Sequence, residues 1–335
     1  MRPLVNPALA RVWRDSSTVQ IGLDPAGAVM LAGLGPAEVA VLREMDGVRD
    51  IAALRSAAER AGGGASTADR LVEILTAAGV LVDGIRVRAD ESDALAPDRA
   101  SLSLLGPQRG CADTDDPLAA RRDAHVEVRG NGRVGALTAC LLAAAGVGHV
   151  SADDHGRTTA HDVAPGGLTH RDVGMPRGLA VSAALPDASD REGISPDLVV
   201  LAPTADSARN DAAHLLRFGV PHLIARVIEN TGVVGPLVLP GTTSCLRCHD
   251  LHRTDRDPAW PRVLAQADGP LPGVAACDIT LAAQVAALAA QQVLAHLDGF
   301  APATIDGTVE TSLPFGLPRR RSWRPHPACG CTWAA

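Results

Sequence analysis

The chain has 335 residues, a length that suits two domains with sizeable cores. Hydrophobic residues make up 46% of the chain and charged residues 21%, which is typical of an ordinary globular protein. A net charge of -7 argues against binding of a nucleic-acid backbone as the main task, so no nucleic-acid partner is expected.

The sequence predicts neither a signal peptide nor a membrane span. Residues 1–15 lack a continuous apolar stretch, and no segment reaches about 18 uninterrupted apolar residues. We therefore expect a cytoplasmic protein without a membrane partner. In that compartment, seven cysteines favour metal ligation or reduced thiols over disulfides.

Residues 1–88 are predicted to form a small separate domain. We interpret Val12–Leu23 and Ala28–Leu31 as a hairpin, because the Asp-Pro-Ala-Gly sequence between them is a typical turn. Three helices and a closing strand follow, beginning at Pro36, at Asp50, at Ser66 or Thr67, and at Gly79. These elements indicate a winged-helix-like α+β domain, with a packing appendage as the alternative.

The third of these helices has a predicted inward face formed by Leu71, Ile74 and Leu75. Residues 89–122, which are rich in Asp, Pro, Ser and Arg, are predicted to be a linker with one short element. Cys111 lies in this linker, and its spacing from the other cysteines does not indicate a metal-ligand pair.

A strand, a glycine-rich turn and a helix open the second domain, residues 123–335. His125–Arg129 alternates in polarity, residues 130–135 read Gly-Asn-Gly-Arg-Val-Gly, and the helix continues to Ala145. The glycines permit a tight turn, close approach of a phosphate and close packing of helix on sheet. After the next strand, His149–Ala152, Asp154 lies where a ribose-binding acid belongs. We therefore predict an α/β fold with a Rossmann-like, doubly wound sheet.

The remaining pattern continues this fold. Asp197–Ala202 reads as a buried parallel strand, followed by the helix Ser207–Phe218 and the strand Pro221–Ala225. Residues 231–239 indicate a hairpin, and Ile279–Leu297 is the longest predicted helix, packed on two sides.

Two close cysteine pairs, about 80 residues apart, predict a structural zinc site that clamps the end of the chain to the core. Four thiolates satisfy tetrahedral zinc and leave no open position. The ligands would be Cys245, Cys248, Cys329 and Cys331. The alternative is two unrelated pairs of reduced thiols. His249 and His252 lie nearby, but a four-thiolate site needs neither.

The order of these features resembles the ThiF/MoeB/HesA family, which is related to the ubiquitin-activating enzymes. The resemblance covers about residues 123–335 and depends on the glycine turn, the segment PDLVVLAPT and the split cysteine pairs. It implies a homodimer that uses ATP and Mg²⁺ as an adenylyltransferase. Its substrate would be the C-terminus of a peptide, or of a ubiquitin-like or sulfur-carrier protein.

By this resemblance, a nucleotide would contact Gly130, Gly132, Arg133, Gly135 and Asp154. The family's other nucleotide-site positions fall on Gly156, Asp162, Pro165, Arg177 and Thr204. A phosphate-binding arginine and a Mg²⁺-holding aspartate are thereby lost, and adenylyl transfer needs such placed charges. We therefore predict a catalytically degenerate site. Arg177, in place of a phosphate-contacting lysine, and Asp206, two residues after Thr204, are candidates for any remaining activity.

Cys277 precedes the longest helix, near where some family members hold a sulfur-accepting or thioester cysteine. A helix N-terminus would acidify its thiol. The alternative is a buried cysteine at the start of a helix.

The first domain resembles the PqqD-type element that binds the leader of a ribosomally made precursor peptide. A PqqD-like element before a ThiF-like domain is similar to the leader-binding partners of azoline-forming YcaO cyclodehydratases. The leading hypothesis is therefore a degenerate ThiF-like protein that presents a precursor peptide to a YcaO-type enzyme. The rivals are an active adenylyltransferase and a dimeric scaffold without a peptide ligand.

Overall fold

The structure, a computed structural model, describes residues 1–84, 94–105, 116, 118–185, 195–203, 208–267 and 274–332. The chain divides into two compact units, Met1–Pro117 (unit 1) and Leu118–Ala335 (unit 2). Each unit has hydrophobic core clusters of its own.

Unit 1 contains two small sheets and four helices among its described residues. Its strands are β1 (Pro3–Val5), β2 (Arg11–Trp13), β3 (Val19–Ile21), β4 (Val29–Leu31) and β5 (Leu81–Asp83). Its helices are α1 (Pro36–Glu44), α2 (Ile51–Arg60), α3 (Ser66–Ala77) and α4 (Ala96–Ser103). The three predicted helices are thus present, and the Asp50 side chain caps α2 by accepting from the Ala53 N–H.

The predicted hairpin is instead a three-stranded antiparallel sheet in the order β2-β3-β4. A turn between Trp13 and Val19 splits the first predicted strand, while the turn after Asp24 is present, with the Ala28 N–H donating to the Asp24 carbonyl. The closing strand β5 pairs with β1, a strand that the sequence pattern did not predict.

The core of unit 1 lies between the three helices and β3. Leu42, Leu54 and Leu75 are fully buried in it. Ile74 was wrongly placed on the inward face of α3, since it is 42% exposed. The reason is its position: Leu71 and Leu75 define the buried stripe, and Ile74 lies beside it.

Helix α4 lies in the predicted linker, and the Asn6 side-chain amide donates to the Ser103 hydroxyl at 2.9 Å. This bond connects α4 to the start of unit 1. The predicted domain boundary at residue 88 stays a prediction. The division of the chain into two compact units falls between Pro117 and Leu118. Cys111 lies outside the described residues.

Unit 2 alternates strands and helices in its first half. Its strands are β6 (His125–Arg129), β7 (His149–Asp153), β8 (Leu198–Leu201), β9 (His222–Ile228), β10 (Thr231–Val238), β11 (Gly307–Ser312) and β12 (Arg319–Ser322). Its helices are α5 (Ala119–Asp123), α6 (Arg133–Ala144), α7 (Arg177–Ala184), α8 (Ala208–Arg217), α9 (Leu246–Arg256), α10 (Trp260–Ala267) and α11 (Ile279–Leu297).

The described strands of unit 2 form one mixed sheet in the order β12-β11-β10-β9-β8-β6-β7. Strands β7, β6, β8 and β9 are parallel, as the Rossmann pattern predicts. Strands β10, β11 and β12 continue the sheet antiparallel. The predicted hairpin at 231–239 is therefore a single strand, β10, which pairs with β9 and β11.

Successive side chains of the central strands point to opposite faces of the sheet and pack in two different hydrophobic clusters. Leu198, Val200 and Leu223 pack with α6 and α11, whereas Val199 and Ile224 pack with α8 on the opposite face. This is why β8 reads as a continuous apolar run: both of its faces are buried.

Helix α11 is the one described helix that is long and apolar enough to cross a membrane by length and composition. Its residues Leu281, Val285, Ala289 and Val293 are nearly or fully buried against the sheet and α6. Helix α11 is therefore a core helix of unit 2.

Candidate functional site

The glycine turn after β6 has the geometry that its sequence predicts. Gly130 has a φ of +87°, and a Cβ there would overlap the carbonyl of Ala202. A Cβ at Gly135 would overlap the carbonyl of Gly130, so this glycine lets the first turn of α6 pack on the loop. The turn is thus held close to the carboxyl ends of β6 and β8.

Asp154, the predicted ribose-binding acid, already uses both carboxylate oxygens within the chain. Oδ1 accepts from the Gly156 N–H at 2.7 Å, and Oδ2 accepts from the Asn131 N–H at 2.7 Å and from Arg177 Nε at 2.9 Å. Burial acts to raise the pKa of Asp154, but these hydrogen bonds outweigh it and hold the pKa below its ordinary value. Asp154 is therefore an ionised acceptor at neutral pH.

Arg177 begins α7 and lies between two carboxylates. Besides its bond to Asp154, its Nη1 lies 3.4 Å from Asp162 Oδ2. A Cβ at Gly156 would overlap Arg177 Nη2, the far end of a flexible side chain, so the guanidinium would have to shift to admit a larger residue there. The guanidinium thus occupies the space that a larger side chain at position 156 would fill, and it lies against Asp154, the acid predicted to bind a ribose.

Arg133 connects the glycine turn to the start of α11. Its Nη1 donates to the Cys277 carbonyl at 2.7 Å, and its buried Nε has no hydrogen-bond partner among the described residues. Burial raises the pKa of the Cys277 thiol despite the lowering effect of the Arg133 charge. The half-buried position outweighs the nearby positive charge, which favours the interpretation of Cys277 as a buried cysteine at the start of a helix.

Two candidate positions cannot be located: Thr204 and Asp206 lie outside the described residues. Pro165, which replaces the family's phosphate-binding arginine, is exposed. A cavity of ≈ 340 Å³ lies beside Asp154, between Asp153, His155 and Leu179. This volume is near the lower limit of small-molecule pockets.

The four predicted metal ligands come together. The Sγ atoms of Cys245, Cys248, Cys329 and Cys331 all lie within 4.8 Å of one another, so the cluster can bind a metal ion such as zinc. The Sγ atom of Cys245 lies 3.9 Å from that of Cys248 and 3.6 Å from that of Cys329. The Sγ atoms of Cys248 and Cys331 are 3.3 Å apart. A tetrahedral zinc with Zn–S bonds of about 2.3 Å requires S···S separations of about 3.8 Å.

The cluster also has the electrostatics of a cation site. The hydrogen bond between the Cys245 and Cys248 thiols raises the pKa of Cys245 and lowers the pKa of Cys248 to about 4. Burial raises the pKa of Cys331 to about 12. One thiolate therefore forms readily and opposes ionisation of its neighbours, and a bound divalent cation would remove this opposition.

Local backbone geometry positions these thiols. Cys245 is the N-cap residue of α9, which places Cys248 one turn further along the same helix. The backbone N–H of His326 donates to Cys248 Sγ at 3.3 Å, so the segment leading to Cys329 is already attached to α9.

The neighbouring histidines do not belong to the group formed by the four thiols. His249 is buried and stacks on Trp323, and burial together with nearby positive charges lowers its pKa to about 3. His252 Nε2 donates to the carbonyl of Arg324 at 2.9 Å. His326 Nδ1 accepts from the Ala328 N–H, so its Nε2 carries the proton that is donated to Asp255. That tautomer has no lone pair to offer a metal shared by His252, Asp255 and His326, although their ligand atoms lie close together.

Solved structures similar to this one cover the whole chain. E. coli MccB bound to AMPCPP and to MccA, a precursor peptide, matches with a TM-score of 0.74 over 99% of both chains, at 15% sequence identity. E. coli MccB bound to ATP matches with a TM-score of 0.71, at 15% identity, over 99% of this chain and 100% of MccB.

The heterocyclase TruD matches with a TM-score of 0.64, at 15% identity, over 99% of this chain and 42% of TruD. No family model matches the sequence, and no curated protein sequence does either. The chain therefore has an MccB-like α/β fold, in which the mixed sheet of unit 2 is Rossmann-type.

Proposed function

We propose that this chain is a ThiF-like protein that binds a ribosomally made precursor peptide and presents it to a partner modifying enzyme, with a YcaO-type enzyme as the expected partner. The observation that carries the proposal is the likeness of the whole chain to MccB bound to MccA. That likeness includes the small unit 1 as well as the Rossmann-like sheet. The likeness to TruD, a heterocyclase, supports the same class of peptide-modifying system.

Unit 1 offers two sheet edges to a peptide. Strands β2 and β4 each pair with β3 alone in the described part of unit 1, so their outer backbone groups are available to an added strand. Each edge carries one exposed apolar side chain: Val12 on β2 is 44% exposed and Met30 on β4 is 58% exposed. A peptide that adds a strand gains main-chain hydrogen bonds and buries alternate side chains against such residues.

The test uses the two edges as controls for each other. A fluorescein-labelled synthetic precursor peptide, encoded next to this gene, is titrated with the full chain and followed by anisotropy. An added strand can use one edge, so we expect one of Val12→Asp and Met30→Asp to weaken binding about tenfold or more while the other leaves it unchanged. Ile74→Asp, an exposed position on α3, controls for the added charge.

Wild-type affinity in both edge variants would exclude strand addition at this sheet. Absence of binding by the wild type would overturn the proposed function itself.

The proposal includes a degenerate nucleotide site, and the Asp154–Arg177 pair supports this. A ribose that approached Asp154 would have to displace a guanidinium held by two carboxylates. Charge-assisted bonds of this kind are the stronger class of hydrogen bonds. Arg177 therefore acts as an internal occupant of the position that a nucleotide would use.

The rival function is an ATP-dependent adenylyltransferase that activates a peptide or carrier-protein C-terminus. The MccB structures with ATP and AMPCPP favour it, together with the cavity beside Asp154. It requires Arg177 to leave Asp154 and bind phosphate instead, and a residue to replace the lost Mg²⁺ ligand.

We further propose that Cys245, Cys248, Cys329 and Cys331 hold a structural zinc ion. Four sulfur ligands leave no position for water, so the ion would stabilise the fold by attaching the segment of Cys329 and Cys331 to α9. A homodimer, which the family resemblance implies, remains part of the proposal. So does a cytoplasmic location, which is expected because the sequence predicts no signal peptide and no membrane span.

A further inference from the structure

Three arginines of unit 2 surround one buried indole. The guanidinium carbons of Arg253, Arg256 and Arg321 lie 5.2, 5.6 and 5.8 Å from the ring of Trp323. Trp323 is 2% exposed, and its Nε1 donates to the Thr308 hydroxyl at 3.1 Å. The ring is therefore fixed in the core and holds three cations together at its periphery.

Two carboxylates each pair with two arginines of this region. Asp250 lies 3.1 Å from Arg209 and 3.8 Å from Arg253. Glu310 lies 2.9 Å from Arg319 and 3.2 Å from Arg321. We name the connected group the arginine cluster, and its members are Arg209, Arg253, Arg256, Arg319 and Arg321.

The strand register places part of the cluster on one face of the sheet. Arg319 of β12 is paired with Glu310 of β11, and Arg321 is two residues further along the same strand, so both side chains share a face. Arg253 and Arg256 are one turn apart on α9, so they too lie on one side of their helix. The contacts with Trp323 bring these two pairs together.

The crowding of positive charge has an electrostatic effect inside the cluster. Burial lowers the pKa of Arg253, and the charges of Arg209 and Arg321 lower it further. The outer members remain accessible to a ligand, because the side chains of Arg319 and Arg321 are 68% and 41% exposed. A bound anion would offset this like-charge repulsion and pair with guanidinium donors that face solvent.

We propose that the arginine cluster is a docking site for an acidic peptide segment, with glutamate or aspartate side chains paired to Arg256, Arg319 and Arg321. Guanidinium groups match the planar geometry of carboxylates, and the cluster already pairs with two of them. Nucleic acid is the poorer ligand, because the buried Trp323 offers no face for base stacking and the chain is acidic overall. The site lies wholly in unit 2, so it does not depend on peptide binding by unit 1.

The probe is a fluorescein-labelled peptide of eight residues with four glutamates, titrated with the full chain at low salt. We expect binding that is lost in 0.5 M NaCl and that weakens at least tenfold in the double variant Arg256→Gln/Arg319→Gln. The single variant Arg262→Gln, an exposed arginine of α10 outside the cluster, should bind like the wild type. Thermal melting of each variant verifies that it is folded.

Equal binding of a matched peptide with glutamine in place of glutamate would overturn the proposal, as would unchanged affinity in the folded double variant. Tighter binding of a 12-nucleotide single-stranded RNA than of the glutamate peptide would also overturn it, since the ligand class would then be nucleic acid.

Discussion

At the scale of single residues, the contacts of Asp154 decide what the Rossmann-like half can do. Its two oxygens accept hydrogen bonds from Asn131, Gly156 and Arg177, all supplied by the chain itself. The sequence predicted the glycine turn and the helix after it, while ribose binding by Asp154 stays a prediction. It could not predict that Arg177 turns toward the acid rather than toward a phosphate, because this depends on a three-dimensional gap at Gly156.

We predict that the purified protein catalyses ATP–pyrophosphate exchange on the order of a hundredfold or more below an active adenylyltransferase, with the precursor peptide present. Loss of one well-placed electrostatic stabiliser commonly has an effect of that order. Radiolabelled pyrophosphate exchange measures the rate, with an active ThiF-type adenylyltransferase and its own substrate as the control. Exchange comparable to that control would contradict a degenerate site and favour the adenylyltransferase function.

Also at residue scale, we predict one zinc ion per chain. The four sulfur atoms of the cysteine cluster lie at separations close to those of a tetrahedral site. Elemental analysis should find about one equivalent in the wild type and in Cys111→Ser, and a strong loss in Cys248→Ser. Less than half an equivalent in the wild type would exclude the site.

At the scale of helices and strands, a buried ion pair joins the start of unit 2 to its longest helix. Arg121 of α5 donates from Nε and Nη2 to both oxygens of Asp298, which follows α11, at 2.9 and 2.6 Å. Its Nη1 donates to the carbonyl of Ala145 at 3.0 Å. The side chains of the pair are 6% and 3% exposed.

Removal of one partner of such a pair leaves an uncompensated buried charge. We therefore expect Arg121→Ala to lower the free energy of unfolding by about 3–5 kcal/mol, as measured by urea denaturation. The exposed neighbour Arg122→Ala should change it by less than about 0.5 kcal/mol. Similar losses in both variants would mean that the pair does not stabilise the fold as the geometry implies.

The elements that sequence predicted well are those with strong local signals. Asp50 caps α2, and the apolar run of β8 is buried on both faces, as local pattern indicated. The pairing of β1 with β5 was missed, because β1 has three residues and its partner lies more than 70 residues away. The turn inside Val12–Leu23 was also missed, although Asp15 marks it: its side chain accepts from the Ser17 N–H at 2.7 Å.

At the scale of the whole molecule, the two compact units have separate hydrophobic cores. We therefore predict two unfolding transitions in calorimetry, of which chelation lowers only the one that belongs to unit 2. Leu54→Ala opens a cavity in the unit 1 core. It should lower the free energy of unfolding of unit 1 by about 2–5 kcal/mol, and with it the temperature of the other transition. A single transition that both perturbations lower together would show that the units unfold as one.

The overlap between Gly156 and Arg177 has a consequence for the evolution of this site. An acid at position 156 would collide with the guanidinium of Arg177, and loss of Arg177 alone would leave Asp154 and Asp162 without their shared cation. A larger residue at position 156 would therefore displace the guanidinium, and a neutral residue at position 177 would destabilise the two carboxylates. The two positions are therefore coupled through one guanidinium, and a designer who aims to restore nucleotide binding would change them in combination as well as singly.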